Sequence, residues 1–232
     1  MLTPRYFFAN DFKQFYSYFL TQPHKKRFFR KGEFLWESGE PFQRIHYIIS
    51  GAAQNYMEHE NGHRKIISFH GEGTVFPGYH QHDYKIEQSL ITTAVSDMNV
   101  LEFTKEQFRQ MFETNPQLSA NIVDWYSTYV NRLLYETAHQ EYNSSLTRLC
   151  NLLYLLTGNE TDHPDLYIDM TQDDLSDLLG ISRIHVTRGL SQLREQEIIL
   201  TRRKQIEIRD LPALTEYCSL KLFEPAGLYL EL

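Results

Sequence analysis

Cysteine is scarce in this chain of 232 residues. Only Cys150 and Cys218 are present, and they stand far apart, without partners at the spacing of metal ligands. A disulfide framework or a cysteine-ligated iron–sulfur cluster needs more cysteines at closer spacing. We therefore expect reduced thiols, a buried Cys150 and no iron–sulfur cluster.

Long apolar runs are also lacking. No window approaches the ~18 uninterrupted apolar residues that a membrane-spanning helix needs. Residues 1–20 contain acidic and polar breaks at the places where a signal peptide is apolar. These two absences predict a cytoplasmic protein with no membrane partner.

An excess of positive charge is the third absence, because the formal net charge is -7. Such a chain does not coat nucleic acid over its whole surface, although a local basic surface remains compatible with the total. Hydrophobic residues make up 41% and charged residues 23%, as in ordinary globular proteins. The length fits two modest domains.

Short apolar and polar runs alternate between residues 27 and 103, and glycines such as Gly51 separate them. This rhythm is typical of an antiparallel barrel or jelly roll. Asn61-Gly62 is a signal for a two-residue hairpin turn between residues 54–59 and 65–69. The sequence therefore predicts a cupin-like N-terminal β-roll.

The periodicity changes after Thr104, which is a suitable N-cap for a helix over residues 105–112. Residues 116–142 contain no glycine and are apolar at every third or fourth position, which predicts one long helix. The main apolar stripe comprises Leu118, Ile122, Trp125, Tyr129 and Leu133, and Val123, Tyr126, Val130 and Leu134 broaden it. This periodicity fits a helix in a domain core and a helix at a dimer interface equally well.

A capping-box-like start at Thr171-Gln172-Asp173-Asp174 opens a short helix with leucines on one side. Gly180 provides a tight turn, and a second helix follows with Val186, Leu190 and Leu193 on its buried side. Residues 201–204, Thr-Arg-Arg-Lys, lie between two strand-like runs and resemble the tip of a wing. This order predicts a winged helix-turn-helix.

The second helix places polar and cationic side chains opposite its leucines, where they can contact base edges and phosphates. The predicted DNA-binding residues are Arg183, Ile184, Thr187, Arg188 and Ser191 on this helix and Arg202, Arg203 and Lys204 on the wing. A helical hairpin with a solvated charged face is the alternative for the glycine turn alone. The cap, the leucine spacing, the basic face and the wing together favour DNA binding.

The predicted fold class is α+β, with a β-roll domain over residues 1–115, a long dimerisation helix over 116–142 and a DNA-binding domain over 143–232.

Several of these motifs resemble the Crp/Fnr family of transcription regulators, over about residues 25–210. Residues 180–188, GISRIHVTR, followed by 193–199, LREQEII, are similar to the family's recognition helix and its exit into the wing. Gly32-Glu33, Gly39-Glu40, residues 48–51 and residues 71–73 resemble the glycine-marked hairpins of its effector-binding β-roll. The resemblance implies a homodimer through the long helix, a palindromic promoter operator and contact with RNA polymerase.

Two departures from the family pattern concern specificity. Ile184 stands where many members have a base-reading glutamate, so the usual half-site is not expected. Residues 75–93 align with the family's cyclic-nucleotide phosphate cradle but lack its glutamate and its arginine-serine pair, and they contain no arginine. We expect a small-molecule effector other than a cyclic nucleotide. The halophenol-responsive branch, which regulates reductive dehalogenation, has a similar recognition helix.

Residues 76–84, FPGYHQHDY, are rich in aromatic and histidine side chains where the family faces its effector. Tyr79, His80 and Tyr84 could bind an aromatic or phenolic acid by stacking and hydrogen bonding, with Lys85 pairing its carboxylate. From the long helix, the predicted effector-binding residues include Tyr126 and Tyr129. A surface loop without a ligand is the alternative.

A metal site is the competing interpretation of this loop. His80, His82 and Glu87 have the ligand spacing of a cupin's first motif, and two imidazoles with a carboxylate suit iron or manganese. They suggest a metal-dependent enzyme or a metal or haem sensor. No second histidine motif follows, and an enzyme has no use for a helix-turn-helix, so we expect a regulator rather than an enzyme. Control by a partner or by redox state alone stays open.

Overall fold

A computed structural model describes residues 4–36, 39, 42–157 and 166–219. Glu40 and residues 220–232 lie outside this described part. The chain divides into two compact units, Tyr6–Val130 and Asn131–Leu232, the latter together with Met1–Arg5. The division falls inside the segment predicted as a long helix, and the sequence-based bounds 1–115, 116–142 and 143–232 remain a prediction.

The first unit is built on two β-sheets. Its strands are β1 (Phe7–Phe8), β2 (Lys25–Phe29), β3 (Phe34–Trp36), β4 (Arg44–Ser50), β5 (Ala53–Glu58), β6 (Arg64–His70), β7 (Val75–Phe76), β8 (Leu90–Ala94) and β9 (Met98–Thr104). One sheet has the order β1-β6-β5-β8-β3, and the other has the order β2-β9-β4-β7. All pairs are antiparallel except β1 with β6. The predicted β-roll is confirmed.

Aromatic residues dominate the core of this unit. Phe8, Phe12, Phe19, Phe76, Phe103, Phe108 and Trp125 are all at most 5% exposed. Strand β6 shows how the sequence produces the core, because its residues from Lys65 to His70 alternate between half-buried and buried positions along the strand. Alternation of this kind turns every second side chain toward the same face of a sheet. The rings therefore collect between the sheets and the helices that cover them.

The turn between β5 and β6 differs from its prediction. Glu58 pairs with Arg64, and the His59 amide donates to the His63 carbonyl at 2.8 Å, so the loop has three residues rather than two. A two-residue type I′ turn needs positive φ at both central residues. Here Gly62 has a φ of +80°, whereas Asn61 does not adopt a positive φ. A single left-handed residue suits the longer loop.

Three α-helices accompany the strands: α1 (Tyr16–Thr21), α2 (Lys105–Thr114) and α3 (Pro116–Tyr142). Thr104 caps α2, since its side chain accepts from the Gln107 amide while the Gln107 side chain accepts from the Thr104 amide. Short 3₁₀ turns occur at Lys13–Phe15 and Lys85–Ser89. The predicted cap and the predicted long helix are both confirmed.

The apolar residues of α3 separate into two sets. Leu118, Ile122 and Trp125 are at most 5% exposed and pack into the β-roll core. Leu133, assigned from the sequence to the same stripe, is 39% exposed. Other apolar side chains on the helix are exposed too: Val123 by 57%, Val130 by 49% and Leu134 by 66%. Only the first part of the predicted stripe is therefore core.

The second unit contains the rest of α3 and a small mixed domain. Its elements are α4 (Ser145–Leu156), β10 (Tyr167–Ile168), α5 (Gln172–Leu179), α6 (Arg183–Glu195), β11 (Ile199–Arg202), β12 (Gln205–Ile208) and α7 (Leu211–Glu216). The strands form an antiparallel sheet in the order β10-β12-β11. Cys150 and Cys218 are both buried free thiols, as expected for Cys150. No helix in the described residues is long and apolar enough to cross a membrane.

Candidate functional site

Helices α5 and α6 form the predicted helix-turn-helix. Thr171 caps α5, with its hydroxyl accepting from the Asp174 amide at 3.1 Å and the Asp174 carboxylate accepting from the Thr171 amide at 2.8 Å. Gly180 ends the helix with a φ of +61°, a conformation that costs glycine little. Ser182 then caps α6. The sharp angle between the helices follows from these local signals.

The buried side of α6 holds the helix against its neighbours. Val186, Leu190 and Leu193 are at most 2% exposed. Gly189 lies so close to α4 that a Cβ at this position would be 2.7 Å from Leu149 Cδ2. A small residue is needed there because the two helices approach closely. Packing of this kind fixes which side of α6 remains open.

The open side of α6 carries the predicted DNA-binding residues. Arg183, Ile184, Thr187 and Arg188 are exposed, and Ser191 is half-buried. Ile184 is 63% exposed, although it is apolar. Arg188 makes no hydrogen bond or ion pair within the part of the chain that the structure describes. A free guanidinium beside an exposed methyl-bearing side chain matches what the major groove presents: guanine acceptors, phosphates and thymine methyl groups.

Two of these residues are held by the preceding helix. The Arg183 guanidinium lies 3.3 Å from the Asp173 carboxylate, and the Thr187 hydroxyl donates to the Gln172 side chain at 2.8 Å. Neither Gln172 nor Asp173 is among the residues predicted from the sequence for this face. Both lie in the first turn of α5, so only the crossing of the two helices places them there.

The wing is a hairpin of β11 and β12. Its turn lies at Arg203 and Lys204, and Lys204 has a φ of +60°. Arg202 pairs with Glu207 at 3.8 Å. Arg194, which is not among the residues predicted from the sequence, donates to the Ser191 hydroxyl at 2.9 Å and to the Thr201 hydroxyl at 3.3 Å. It thus links α6 to the wing, and its spacing of three residues from Ser191 is the only sequence signal for that role.

A second candidate site is a cavity of about 290 Å³ within the first unit. Its lining residues are Phe42, Asn55, Phe76, Pro77, Gly78, His80, Tyr84, Glu87, Leu90, Trp125, Tyr126 and Tyr129. Four of the six predicted effector-binding residues are among them, namely His80, Tyr84, Tyr126 and Tyr129. Burial raises the pKa of Tyr126, so its hydroxyl stays protonated at neutral pH.

Tyr79 and Lys85, the other two predicted effector-binding residues, are not among the lining residues. Tyr79 is buried on another side, where its ring lies 5.1 Å from that of Phe112 and 6.0 Å from that of Phe108. Lys85 is exposed. The adjacent side chains of Tyr79 and His80 therefore point to different sides of the loop, a result that spacing in the sequence does not provide.

Gly78 allows the loop to approach α3. A Cβ at Gly78 would lie 2.6 Å from the Tyr126 hydroxyl oxygen and 2.7 Å from a ring carbon of Trp125. Trp125 is 5% exposed, and its indole nitrogen has no hydrogen-bond partner within the described residues. The loop and α3 therefore form facing walls of the cavity.

The proposed metal site is not assembled in this structure. His80 Nε2 lies 2.9 Å from Glu87 Oε1, but His82 contributes its backbone carbonyl, which accepts from His80 Nδ1. Both nitrogens of His80 are occupied in this way. Among the described residues, no group of three histidine, cysteine or acidic side chains is arranged to hold a metal ion. The interpretation of His80, His82 and Glu87 as a ligand set is corrected accordingly.

The cavity also does not fit the phosphate of a cyclic nucleotide. Among the residues that the structure describes, no lysine or arginine lines it. A buried phosphate needs cationic or amide donors to compensate for the loss of its hydration. The absence of arginine from residues 75–93 already pointed in this direction.

A β-roll with a cavity and a winged helix-turn-helix with an exposed cationic face define a DNA-binding transcription regulator with an effector-binding domain. Residues 26–115 match the cyclic nucleotide-binding domain family, and residues 147–217 match the Crp-like helix-turn-helix domain family. The chain belongs to the Crp/Fnr family of transcription regulators.

Individual relatives agree with this assignment. The chain is 25% identical over 198 residues to the cAMP-activated global transcriptional regulator CRP of Pasteurella multocida, a match that covers 82% of this chain and 92% of the relative. A structure of CprK complexed with OCPA superposes with a TM-score of 0.71 at 18% identity, covering 91% of this chain and 99% of that one. FixK2 from Bradyrhizobium japonicum has a TM-score of 0.70 at 20% identity, with coverages of 85% and 98%.

Proposed function

We propose that this protein is a homodimeric regulator that binds a palindromic promoter operator with α6 in the major groove and responds to a small aromatic or phenolic effector in the β-roll cavity. The exposed side of α6 is the observation that carries the proposal. It combines the unpaired Arg188 with Arg183 and Thr187, whose partners Asp173 and Gln172 can be exchanged for DNA. The wing residues Arg202, Arg203 and Lys204 then contact phosphates.

The dimer part of the proposal rests on the exposed apolar side chains of α3. Val123, Val130 and Leu134 recur at intervals of seven and four residues, so they lie along one side of the helix. Exposed apolar side chains in such a row are typical of a helix that packs against another helix. Two parallel copies of α3 would relate two recognition helices by twofold symmetry, which a palindromic operator requires.

Effector control rests on the walls of the cavity. Trp125, Tyr126 and Tyr129 line it from α3, and Val123 and Val130 lie exposed on the same stretch of the helix. A ligand that contacts the first set changes the packing of the helix that carries the second. Binding energy can in this way bias an equilibrium between dimer geometries with and without affinity for DNA. Contact with RNA polymerase remains part of the proposal through family membership.

Selection of bound duplexes from a random DNA pool tests the proposal directly. The full chain is incubated with the pool in the absence and presence of phenols, aromatic amides and acids, and cyclic nucleotides. We expect a palindrome with two half-sites about one helical turn apart, roughly 10 base pairs, enriched more strongly with an aromatic ligand. Arg188→Ala should lose the enrichment. A pool that stays random under every condition would contradict the proposal.

A further inference from the structure

The cavity in the β-roll is aromatic and contains almost no compensating charge. Phe42, Phe76, Trp125, Tyr126 and Tyr129 supply its rings, and Tyr84 adds a sixth ring toward the outside. Apart from the tyrosines, the ionisable side chains among its described lining residues are His80 and Glu87. The partners of these two side chains therefore bear on which ligands the cavity accepts.

His80 and Glu87 form an ion pair that is satisfied within the loop. One imidazole nitrogen faces the His82 carbonyl and the other faces Glu87 Oε1 at 2.9 Å, so both nitrogens face acceptors. The second carboxylate oxygen of Glu87 accepts from the Tyr84 amide at 3.3 Å. Both nitrogens of His80 are thus engaged within the loop, and His80 offers no free donor to a ligand anion.

Neighbouring cations are not directed into the cavity either. Lys85 is exposed, and the Lys105 ammonium lies 2.6 Å from the Asp83 carboxylate on the surface. A ligand carboxylate or phosphate would lose its hydration in the cavity without gaining an ion pair, and the cost of burying an uncompensated charge is large.

The cavity does offer hydrogen bonds to a neutral ligand. Asn55 is 1% exposed and lines the wall, and its side-chain oxygen accepts from the Thr92 hydroxyl at 3.3 Å. Its side-chain N–H groups have no acceptor within the described residues. The indole N–H of Trp125 is likewise unpartnered in the described part of the chain. The volume of about 290 Å³ is roughly twice that of an apolar cavity that binds benzene. One or two fused rings with a polar acceptor group fill such a space.

From the His80–Glu87 pair that is satisfied within the loop, the lack of lysine and arginine among the described lining residues and the unused N–H donors, we infer that this cavity selects an uncharged aromatic ligand carrying a hydrogen-bond acceptor and rejects the carboxylate analogue of the same shape. The inference rests on the proposed effector site and narrows it. It replaces the aromatic acid paired with Lys85 that the sequence suggested. Phosphate-bearing ligands are rejected for the same reason.

Matched pairs of probes test this selectivity on the full-length protein. Indole-3-acetamide and indole-3-acetate have the same ring and nearly the same shape, and benzamide and benzoate form a smaller pair. Isothermal titration calorimetry at neutral pH and constant ionic strength gives both affinities. We expect each amide to bind at least about tenfold more tightly than its carboxylate, because only the carboxylate must be buried as an ion. Equal affinities, tighter binding of the carboxylates, or no binding of either amide at millimolar concentration would overturn the inference.

Two variants separate the failure of this inference from the failure of the proposed function. Glu87→Gln removes the acidic side chain from the cavity wall and frees His80 from its acidic partner, so the preference for the amide over the carboxylate should narrow several-fold, whereas Glu60→Gln on the distant β5–β6 loop should leave it unchanged. An unchanged preference in Glu87→Gln contradicts the role of the ion pair.

Leu90→Trp fills the cavity and should abolish binding of the amides. Binding of the amides that persists in this variant places their site elsewhere and overturns the inference. If the amides bind selectively but leave the affinity for DNA unchanged, the inference about ligand selectivity stands. The proposal that these ligands control DNA binding is then contradicted.

Discussion

The guanidinium of Arg183 lies 3.3 Å from the carboxylate of Asp173, at the start of the two helices of the helix-turn-helix. Both side chains are about two-thirds exposed, at 65% and 66%. An exposed pair of this kind contributes about 0–1 kcal/mol to stability. Its larger consequence concerns DNA, because Arg183 must leave or share this carboxylate when a phosphate or a guanine approaches.

Replacement of Asp173 by asparagine should strengthen DNA binding. The change removes a negative charge next to the recognition helix and releases Arg183, so we expect affinity to rise roughly two- to fivefold, the size of one exposed ion pair. Fluorescence anisotropy with a labelled operator measures this. Glu195→Gln at the other end of α6 is the matched control and should have a smaller effect. A loss of affinity in Asp173→Asn would instead assign Asp173 a positioning role.

Arg188 and Lys204 should differ in the kind of binding that they support. Arg188→Ala removes a side chain proposed to contact a base edge, and should weaken operator binding by about 10- to 100-fold while random DNA is affected much less. Lys204→Ala removes a phosphate contact on the wing, and should weaken binding to all sequences and lower the salt slope by about one. Titrations of operator and random duplexes at several salt concentrations distinguish the two. Equal losses on both duplexes in Arg188→Ala would contradict its assignment.

Leu134 tests the proposed dimer interface. It is 66% exposed, so Leu134→Lys should leave the monomer folded while placing a charge in an apolar interface. We expect a monomer in sedimentation velocity and a loss of operator affinity of about a hundredfold or more, because the two half-sites are then bound separately. Gln140→Lys, exposed on another side of α3, should remain a dimer. A dimeric Leu134→Lys protein would place the interface elsewhere.

Gly51 and Gly62 allow a comparison of how much unfolding free energy is lost when a side chain is added to a glycine in a turn. Both have positive φ, +85° and +80°, but a Cβ at Gly51 would lie 2.2 Å from the Asp97 carbonyl oxygen, whereas a Cβ at Gly62 meets nothing within 4 Å. Gly62→Ala should therefore cost roughly 1–2 kcal/mol of unfolding free energy from the backbone conformation alone. Gly51→Ala should cost roughly 1–3 kcal/mol more because backbone must move. Urea unfolding measures both, and equal losses would contradict the role of the Asp97 contact.

His46 gives the β-roll a predictable dependence on pH. It is 2% exposed; its Nε2 lies 3.2 Å from Glu102 Oε2, and its Nδ1 has no partner within the described residues. Burial lowers the pKa of His46 below its ordinary value of 6.5. The hydrogen bond from His46, together with Arg44, lowers the pKa of Glu102 to about 2. The folded pair is therefore a neutral imidazole that donates to a carboxylate.

The sign of the effect follows from proton binding. Below pH 6.5 His46 is protonated in the unfolded chain, whereas its lowered pKa opposes protonation in the folded chain. The free energy of unfolding therefore falls as pH falls through this value. The contribution of Glu102 is present above its ordinary pKa of 4.5 and is lost as pH falls further toward 2. His46→Gln should flatten the loss of unfolding free energy between about pH 7 and 5, and His59→Gln on the exposed loop should not. Fluorescence in urea reports this unit alone, since Trp36 and Trp125 are the two tryptophans of the chain. An unchanged slope in His46→Gln would assign the loss to other groups.

The sequence by itself determined the helix-turn-helix. Thr171, Gly180 and Ser182 act within a few residues of their own positions, and the spacing of Leu190 and Leu193 sets the buried side of α6. Such signals are local, so no tertiary contact is needed to interpret them. The alternation in β6 and the length of α3 were accessible for the same reason.

The tertiary structure decided the membership of the cavity and the open side of α3. Residues as distant in sequence as Phe42, Asn55 and Trp125 line the same cavity. Tyr79 turns away although its neighbour His80 turns inward, and His82 contributes a carbonyl rather than a ring. Periodicity places side chains on one side of a single element. Which element covers that side depends on the pairing of distant strands and on the packing of the loop against the helix. The spacing of residues along the chain does not predict that packing.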